Sequence, residues 1–135
     1  MNHFRTRCAA ELRKTQAQLL CEWGRAQSGA CIAIGGYNFD YDFRTKKGNE
    51  SFDAFMESGV WKWNKPRELI DNNWADRNRD GQDDYPDSIL DYTFVNPAAE
   101  SWKIESEVVV RAGDFPDDEK TSDHRPMRIV IDLPK

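Results

Sequence analysis

The sequence is poor in cysteine and has no long apolar run. Its three cysteines, Cys8, Cys21 and Cys31, are odd in number, and their spacing suits neither a zinc site nor a disulfide framework. We interpret all three as ordinary small apolar residues. No hydrophobic stretch approaches the roughly 20 residues that a membrane-spanning helix needs, so the sequence predicts no transmembrane segment. Residues 1–7 also lack the apolar segment of a signal peptide.

Clustered basic residues are also missing. The formal net charge is −5, with 19 Lys and Arg against 24 Asp and Glu. Because strong non-specific binding to nucleic acid depends on grouped Lys and Arg, this sequence does not indicate it. A phosphate substrate would still bind if a metal ion supplied the positive charge. The composition is otherwise globular, and 135 residues are enough for one domain with a core.

Hydrophobic periodicity predicts a mixture of helices and strands. The predicted segments are helices at 9–27 and 51–58 and strands at 30–34, 88–95, 102–112 and 127–133. The first helix is expected to pack an apolar stripe on a sheet, and the stripe consists of Ala9, Leu12, Leu19, Trp23 and Ala26. The third strand is expected to centre on residues 108–110.

A glycine pair follows the first predicted strand. Residues 30–34 are wholly apolar and suit a buried central strand. Gly35 and Gly36 come next, where they permit a positive φ or a close approach of the backbone to a ligand. Two interpretations stay open: a glycine turn with exposed polar residues, or a loop that presents Asn38 to a substrate.

Residues 76–87 have the spacing of a calcium-binding loop. The oxygen ligands at loop positions 1, 3, 5, 7, 9 and 12 would be Asp76, Asn78, Asp80, the backbone carbonyl of Gln82, Asp84 and Asp87. Gly81 falls at position 6, where such loops turn sharply. No helical pattern flanks the loop closely, so we expect an isolated structural Ca²⁺ loop resembling those of dockerin or thrombospondin repeats. The alternative is a solvated acidic turn.

An acid lies within the otherwise apolar strand 88–95. A buried carboxylate is costly without a partner, so Asp91 is expected to pair, and a histidine is a natural partner. The chain has two histidines, His3 and His124. His124 follows Asp123 at the mouth of the last predicted strand, which is a rigid place to hold an acid and an imidazole. The alternative is a polar turn before that strand.

Three motifs now stand in one order: Gly35-Gly36-Tyr37-Asn38, Leu90-Asp91-Tyr92-Thr93-Phe94 and Ser122-Asp123-His124-Arg125-Pro126. Together they resemble the endonuclease/exonuclease/phosphatase family, and Asn2-His3-Phe4 resembles the family's histidine-bearing strand end. The resemblance implies an α/β fold, a four-layer sandwich of two mostly antiparallel sheets with helices outside. Because the family domain is roughly twice as long, we expect residues 1–135 to be the C-terminal half of one such domain. A signal peptide would then lie in the missing part, and the calcium loop favours a secreted or periplasmic protein.

The resemblance also implies roles for individual residues in hydrolysis of a phosphoester, in a nucleic acid or a small phosphodiester. Asp91 would fix the tautomer of His124 and raise its pKa, and His124 would contact the scissile phosphate. Asp123 would help to hold Mg²⁺ or Mn²⁺, which polarises the phosphate. Asn38 would bind a phosphate oxygen or the attacking water, and His3 would contact another oxygen.

Gly36 departs from the family pattern. The family has an aspartate at this position, which orients or activates the water, and loss of a general base commonly costs ~10²–10⁴-fold in rate. The family's metal-ligating glutamate belongs to the first half of the domain. We therefore expect an impaired enzyme. The alternative is a non-catalytic, calcium-stabilised binding module on the same scaffold. An exposed sheet face would also favour a homodimer.

Overall fold

The computed structural model describes residues 7–115 and 122–133, and in these ranges it mixes α-helices with antiparallel sheets. This agrees with the α/β prediction at that level. The helices are α1 (Arg7–Arg25) and α2 (Glu50–Glu57). The strands are β1 (Ile32–Asp42), β2 (Lys47–Gly48), β3 (Lys62–Trp63), β4 (Ser88–Val95), β5 (Lys103–Val108) and β6 (Met127–Asp132).

The larger sheet has the strand order β2-β1-β4-β3, and β5 and β6 form a second, two-stranded sheet. The strand predicted at 30–34 forms the start of β1, but it is neither central nor buried there. Residues 32–34 pair with β4 alone, because β2 pairs with Tyr41 and Asp42 at the other end of β1, and Ile34 is 51% exposed. The pairing of β1 with β4 runs from Ile32 opposite Val95 to Gly36 opposite Asp91 and then shifts register. A bulge of this kind redirects side chains at the end of the regular pairing.

An aromatic core lies between the larger sheet and α2. Tyr92, Phe94 and Phe55 are fully buried, and the ring centroids of Phe55 and Phe94 are 4.7 Å apart. The α2 prediction is confirmed: the Asn49 side chain accepts hydrogen bonds at the N-terminus, and Gly59 adopts a φ of +67° after the last turn. This core holds β4 firmly, so it also fixes where Asp91 lies.

The predicted buried stripe of α1 is wrong except at Ala9, which is buried, and Ala26 at its other end is exposed. Leu12, Leu19 and Trp23 are each more than half exposed. The buried side of the helix is formed by small residues, namely Ala9, Ala17, Cys21 and Gly24. A Cβ at Gly24 would lie 2.8 Å from the Trp61 ring, so the helix approaches its neighbours too closely for large side chains. The helix packs mainly on α2 and on Trp61, and not on a sheet as expected, so its buried face consists of small residues.

The strand predicted at 102–112 is shorter than expected. It ends at Val108 and does not centre on residues 108–110. Beyond this point the Val109 N–H still donates to the Pro126 carbonyl at 2.9 Å, but regular pairing has stopped. Neither described helix is long and apolar enough to cross a membrane.

Candidate active site

The segment from Ser122 to Pro126 is held against the chain that precedes β4. Within it, the Asp123 carbonyl accepts from the Trp74 N–H at 2.9 Å. The Arg125 N–H donates to the Asn72 carbonyl at 3.0 Å. Because these bonds flank His124 on both sides, they fix the backbone from which the imidazole projects.

Arg125 braces the same segment from inside. Its guanidinium donates to both carboxylate oxygens of Asp114, at 3.1 and 3.0 Å, and to the Asp71 carbonyl at 2.8 Å. It also lies 4.1 Å from the centroid of the Phe115 ring. Hydrogen bonds from Arg125 hold the pKa of Asp114 below its ordinary value. A two-point contact of this kind favours arginine over lysine.

Asp91 and His124 meet as the sequence predicts. The distance from His124 Nδ1 to Asp91 Oδ2 is 2.6 Å, with 24% and 20% of the two side chains exposed. Seven of the eight β4 residues are buried, and Asp91 is the one that is partly exposed. The pair therefore lies at the one partly exposed position of β4, where a substrate can reach it.

Hydrogen bonding to Asp91 raises the pKa of His124 above its ordinary value. Burial opposes this shift, and the charges of Asp91, Asp123 and Asp71 add to it. The Asp91 carboxylate accepts the Nδ1 proton, so in the neutral ring Nε2 keeps its lone pair. The imidazole can thus take up a proton at Nε2 or, when charged, donate one there.

Asn72 is a site residue that sequence reasoning missed. It is completely buried, and its Nδ2 donates to Asp91 Oδ2 at 2.9 Å. Only the neighbouring Asp71 and Asn73 mark the position in the sequence, and such a run is typical of ordinary turns. Its contact with Asp91 spans 19 positions of chain, so no local pattern reveals it.

Gly36 and Asn38 lie on the β1 side of the site. Gly36 is directly opposite Asp91 in the sheet, and a Cβ at this position would be 2.8 Å from Asp91 Oδ1. Asn38 follows two residues later in the bulge, where it is exposed and has a φ of +53°. Two peptide units place its Cα within about 8 Å of that of Gly36. This is compatible with the loop that presents Asn38 to a substrate.

Asp123, the residue predicted to hold the catalytic metal, falls within residues 7–115 and 122–133. It is exposed and precedes His124 directly. No group of three or more Asp, Glu, His or Cys side chains in these two ranges is arranged to hold a metal ion. A single carboxylate still suits Mg²⁺, which keeps several waters and binds substrate phosphate. His3, which is predicted to contact the phosphate together with Asn38 and His124, lies outside the described residues.

The acidic loop has the turns of a calcium site. The Asp76 carboxylate accepts from the N–H groups of Asp80 and Gly81 at 3.0 and 2.8 Å, and Gly81 adopts a φ of +80°. Asn78 Oδ1 also accepts from the Asp80 N–H at 3.0 Å. Asp84 instead turns to the backbone of Arg77, at 3.0 Å. The chain turns sharply at Gly81 as predicted, whereas no three carboxylates of this described loop are grouped to hold a cation.

Comparisons with known proteins were made at three levels. No protein-family model matches the chain, and neither a curated protein nor a solved structure is similar to it. The function proposed below therefore depends on the geometry of this site and on the motifs that it contains.

Proposed function

We propose that this chain is a phosphoester hydrolase domain centred on His124 and Asp91. The observation that supports this most directly is the 2.6 Å contact between a partly exposed imidazole and a carboxylate that arise 33 residues apart. Both belong to motifs that resemble the endonuclease/exonuclease/phosphatase family. On this proposal the two described sheets belong to half of a four-layer α/β sandwich.

The chemistry is in-line attack of water on phosphorus with cleavage of the ester P–O bond. The attacking water loses its proton to the solvent, since Gly36 provides no acceptor, and the leaving ester oxygen takes a proton from the solvent. Asp91 orients the imidazole and stabilises its charged form. The charged ring donates its Nε2 proton to a phosphate oxygen, which lowers the negative charge that the transition state must carry. Asn38 donates a further hydrogen bond to the phosphate from the bulge in β1.

Asp123 would contribute the protein ligand to Mg²⁺ or Mn²⁺. When bound, such an ion polarises the phosphate and stabilises developing charge. The net charge of −5 gives the domain no general attraction for phosphates. The substrate class remains a phosphoester in a nucleic acid or in a small phosphodiester.

The test is hydrolysis of a chromogenic phosphodiester by the whole chain with Mg²⁺ and with Mn²⁺. We expect a slow activity because Gly36 provides no acid–base group. His124→Gln and Asp91→Asn should each lower kcat by about 10²-fold or more. Arg128→Lys is the control, since Arg128 is exposed on β6 and paired with Glu107 at 2.8 Å. No turnover with either metal, or equal turnover in the His124 variant, would contradict the proposal.

A second function, a calcium-stabilised binding module, is supported by the Asp76 turn and by Gly81 at position 6. A ligand that binds only the folded state stabilises it by about 2.7 kcal/mol at a concentration of 100 Kd. Ca²⁺ should therefore raise Tm relative to chelator, and Asp76→Asn should reduce this rise. The exposed Asp53 of α2 offers a matched control, Asp53→Asn. An equal Tm with Ca²⁺ and with chelator would rule out the calcium loop. Calcium binding would favour a secreted or periplasmic location.

A further inference from the structure

Asn72 is the most completely buried polar side chain that contacts the Asp91–His124 pair, with 0% of its surface exposed. Its Oδ1 accepts from the Leu90 N–H at 2.9 Å, and its Nδ2 donates to Asp91 Oδ2 at 2.9 Å. A backbone N–H only donates and a carboxylate only accepts. The two contacts therefore fix which end of the amide is oxygen.

The backbone of Asn72 also joins the two halves of the site. Its N–H donates to the Ser88 carbonyl at 3.2 Å, and its carbonyl accepts from the Arg125 N–H at 3.0 Å. One residue thus contacts β4, which carries Asp91, and the segment that carries His124. A buried polar residue with all its groups paired is a rigid link between the parts that it joins.

We propose that Asn72 is a positioning residue, which holds the Asp91 carboxylate in one orientation and thereby keeps the proton of the neutral His124 ring on Nδ1. Its effect on catalysis rests on the hydrolase function proposed above. Its effect on the imidazole does not, because that depends only on the three side chains and their hydrogen bonds.

Gly36 makes this role more important. The last torsion of an aspartate side chain is broad, so a carboxylate needs contacts on more than one side to stay in place. On the Oδ1 side of Asp91 the opposite residue is Gly36, which has no side chain to limit the rotation. The contacts at Oδ2, from Asn72 and His124, must therefore supply the restraint.

The tautomer of His124 is the most direct readout. Asp91, Asp123 and Asp71 all act on the charge of the imidazole, so the charge state responds to several groups. The tautomer of the neutral ring instead reports on the single contact at Nδ1. It can be measured by NMR of the ¹⁵N-labelled imidazole at alkaline pH, and a His3→Gln background leaves one histidine signal.

The variant is Asn72→Leu, which keeps the approximate size of the side chain and removes its hydrogen bonds. The matched control is Asn49→Leu. Asn49 also accepts backbone N–H bonds, at 3.1 and 3.0 Å, and also donates to a carboxylate, that of Asp40, at 3.1 Å. We expect Asn72→Leu to give a mixture of the two tautomers and the control to keep the single Nδ1–H form.

An unchanged tautomer in folded Asn72→Leu, or an equal change in Asn49→Leu, would overturn the proposal. The chain with native Asn72 provides a check that does not depend on folding of the variant. There, the Asn72 amide protons and the His124 Nδ1 proton share Asp91 Oδ2 as acceptor, so an NOE should join them. Absence of this NOE in the folded chain with native Asn72 would overturn the proposal as well.

Turnover separates this proposal from the hydrolase function. If the chain hydrolyses the chromogenic phosphodiester, Asn72→Leu should lower kcat with KM unchanged. We expect a loss of about 10- to 100-fold, by analogy with the loss of residues that orient metal-binding histidines. A change in KM alone would oppose a positioning role. If the unmodified chain is inactive, the hydrolase function fails while the tautomer result stands by itself.

Discussion

At the scale of single residues, Asp91 decides what the site can do. Its Oδ2 accepts from Asn72 and His124, and its Oδ1 faces the empty position at Gly36. Gly36 is therefore a direct neighbour of the proposed imidazole–carboxylate pair, as well as the position where an expected aspartate is missing. A side chain at position 36 would therefore contact the Asp91 carboxylate directly, whatever contact it also made with a substrate.

We predict that Gly36→Asp does not increase hydrolysis. A Cβ at residue 36 would lie 2.8 Å from Asp91 Oδ1, and like charges on opposite residues of a sheet repel. Asp91 would have to shift and would loosen its bond to His124. The measurement compares turnover and NMR of His124 in Gly36→Asp and in Gly36→Ala, which adds the Cβ without the charge. Faster turnover in Gly36→Asp than in the unmodified chain would show that the missing acid is the main defect.

Asp71 gives a pH-dependent prediction. Burial raises the pKa of Asp71 to about 6, and the charges of Asp83 and Asp87 add to the shift. Because the folded pKa lies above the unfolded value near 4, the stability associated with protonated Asp71 is complete below about pH 4 and is lost as the pH rises through about 6. Asp71→Asn keeps an oxygen for the Ser88 N–H, which bonds Asp71 Oδ1 at 2.9 Å.

The asparagine variant should therefore be more stable at pH 7 by about 1–2 kcal/mol, a range lowered to allow for solvent screening. The gain should disappear near pH 4. Urea unfolding at several pH values measures it, and Asp132→Asn on the exposed end of β6 is the control. A gain that is the same at pH 4 and pH 7 would contradict the prediction.

At the scale of elements, the site depends on docking of an irregular segment onto a strand. The sheet holds β4, but residues 122–126 owe their place to a few backbone bonds and to Arg125. The Arg125 side chain is only 14% exposed and pairs with the Asp114 side chain, which is 20% exposed. A partly buried, two-point ion pair contributes more than a surface pair, because its loss leaves groups unpaired.

Arg125→Lys should lower the free energy of unfolding by about 1–3 kcal/mol, since lysine cannot make both carboxylate contacts and also reach the Asp71 carbonyl. Arg128→Lys is the matched control: its partner Glu107 is exposed, and we expect a change below about 0.5 kcal/mol. Denaturant unfolding of the two variants measures the difference. Equal effects would mean that Arg125 does not brace the segment.

At the scale of the whole molecule, apolar side chains remain on the surface of both sheets. Ile34 on β1, Val130 on β6 and the nearby Val110 and Leu133 are each more than 40% exposed. Large contiguous apolar patches mark contacts between proteins, whereas singly exposed apolar residues are common. The proposed homodimer through a sheet face requires that these side chains form one such patch.

We predict that the chain sediments as a concentration-dependent dimer. Val130→Lys, on the exposed face of β6, should shift the equilibrium toward monomer by adding a charge to the contact. Leu12→Lys on α1 is the control, since Leu12 is 54% exposed, against 44% for Val130, but lies on a helix. A single monomeric species at all concentrations would argue against a sheet-mediated dimer and against the half-sandwich proposal.

The sequence alone was enough to predict β4, α2 and the fact that Asp91 is paired. Strand β4 has its predicted limits because a continuous apolar run stops at Asn96-Pro97. That Asp91 needs a partner followed from the cost of an unpaired buried carboxylate, whereas His124 as this partner was implied by the family resemblance. These features depend on neighbours in the chain or on a rule that every buried charge obeys, so one sequence contains what is needed to predict them.

Only the tertiary structure decided which face of α1 is buried, how close Gly36 comes to Asp91, and that Asn72 belongs to the site. The face of α1 with small residues is buried because Trp61, 37 positions beyond Gly24, leaves no room for larger side chains on that face. Asn72 contacts Asp91 only because the segment before β4 folds back and lies beside that strand. Such contacts depend on the distance between elements, which packing sets and local patterns of polarity do not contain.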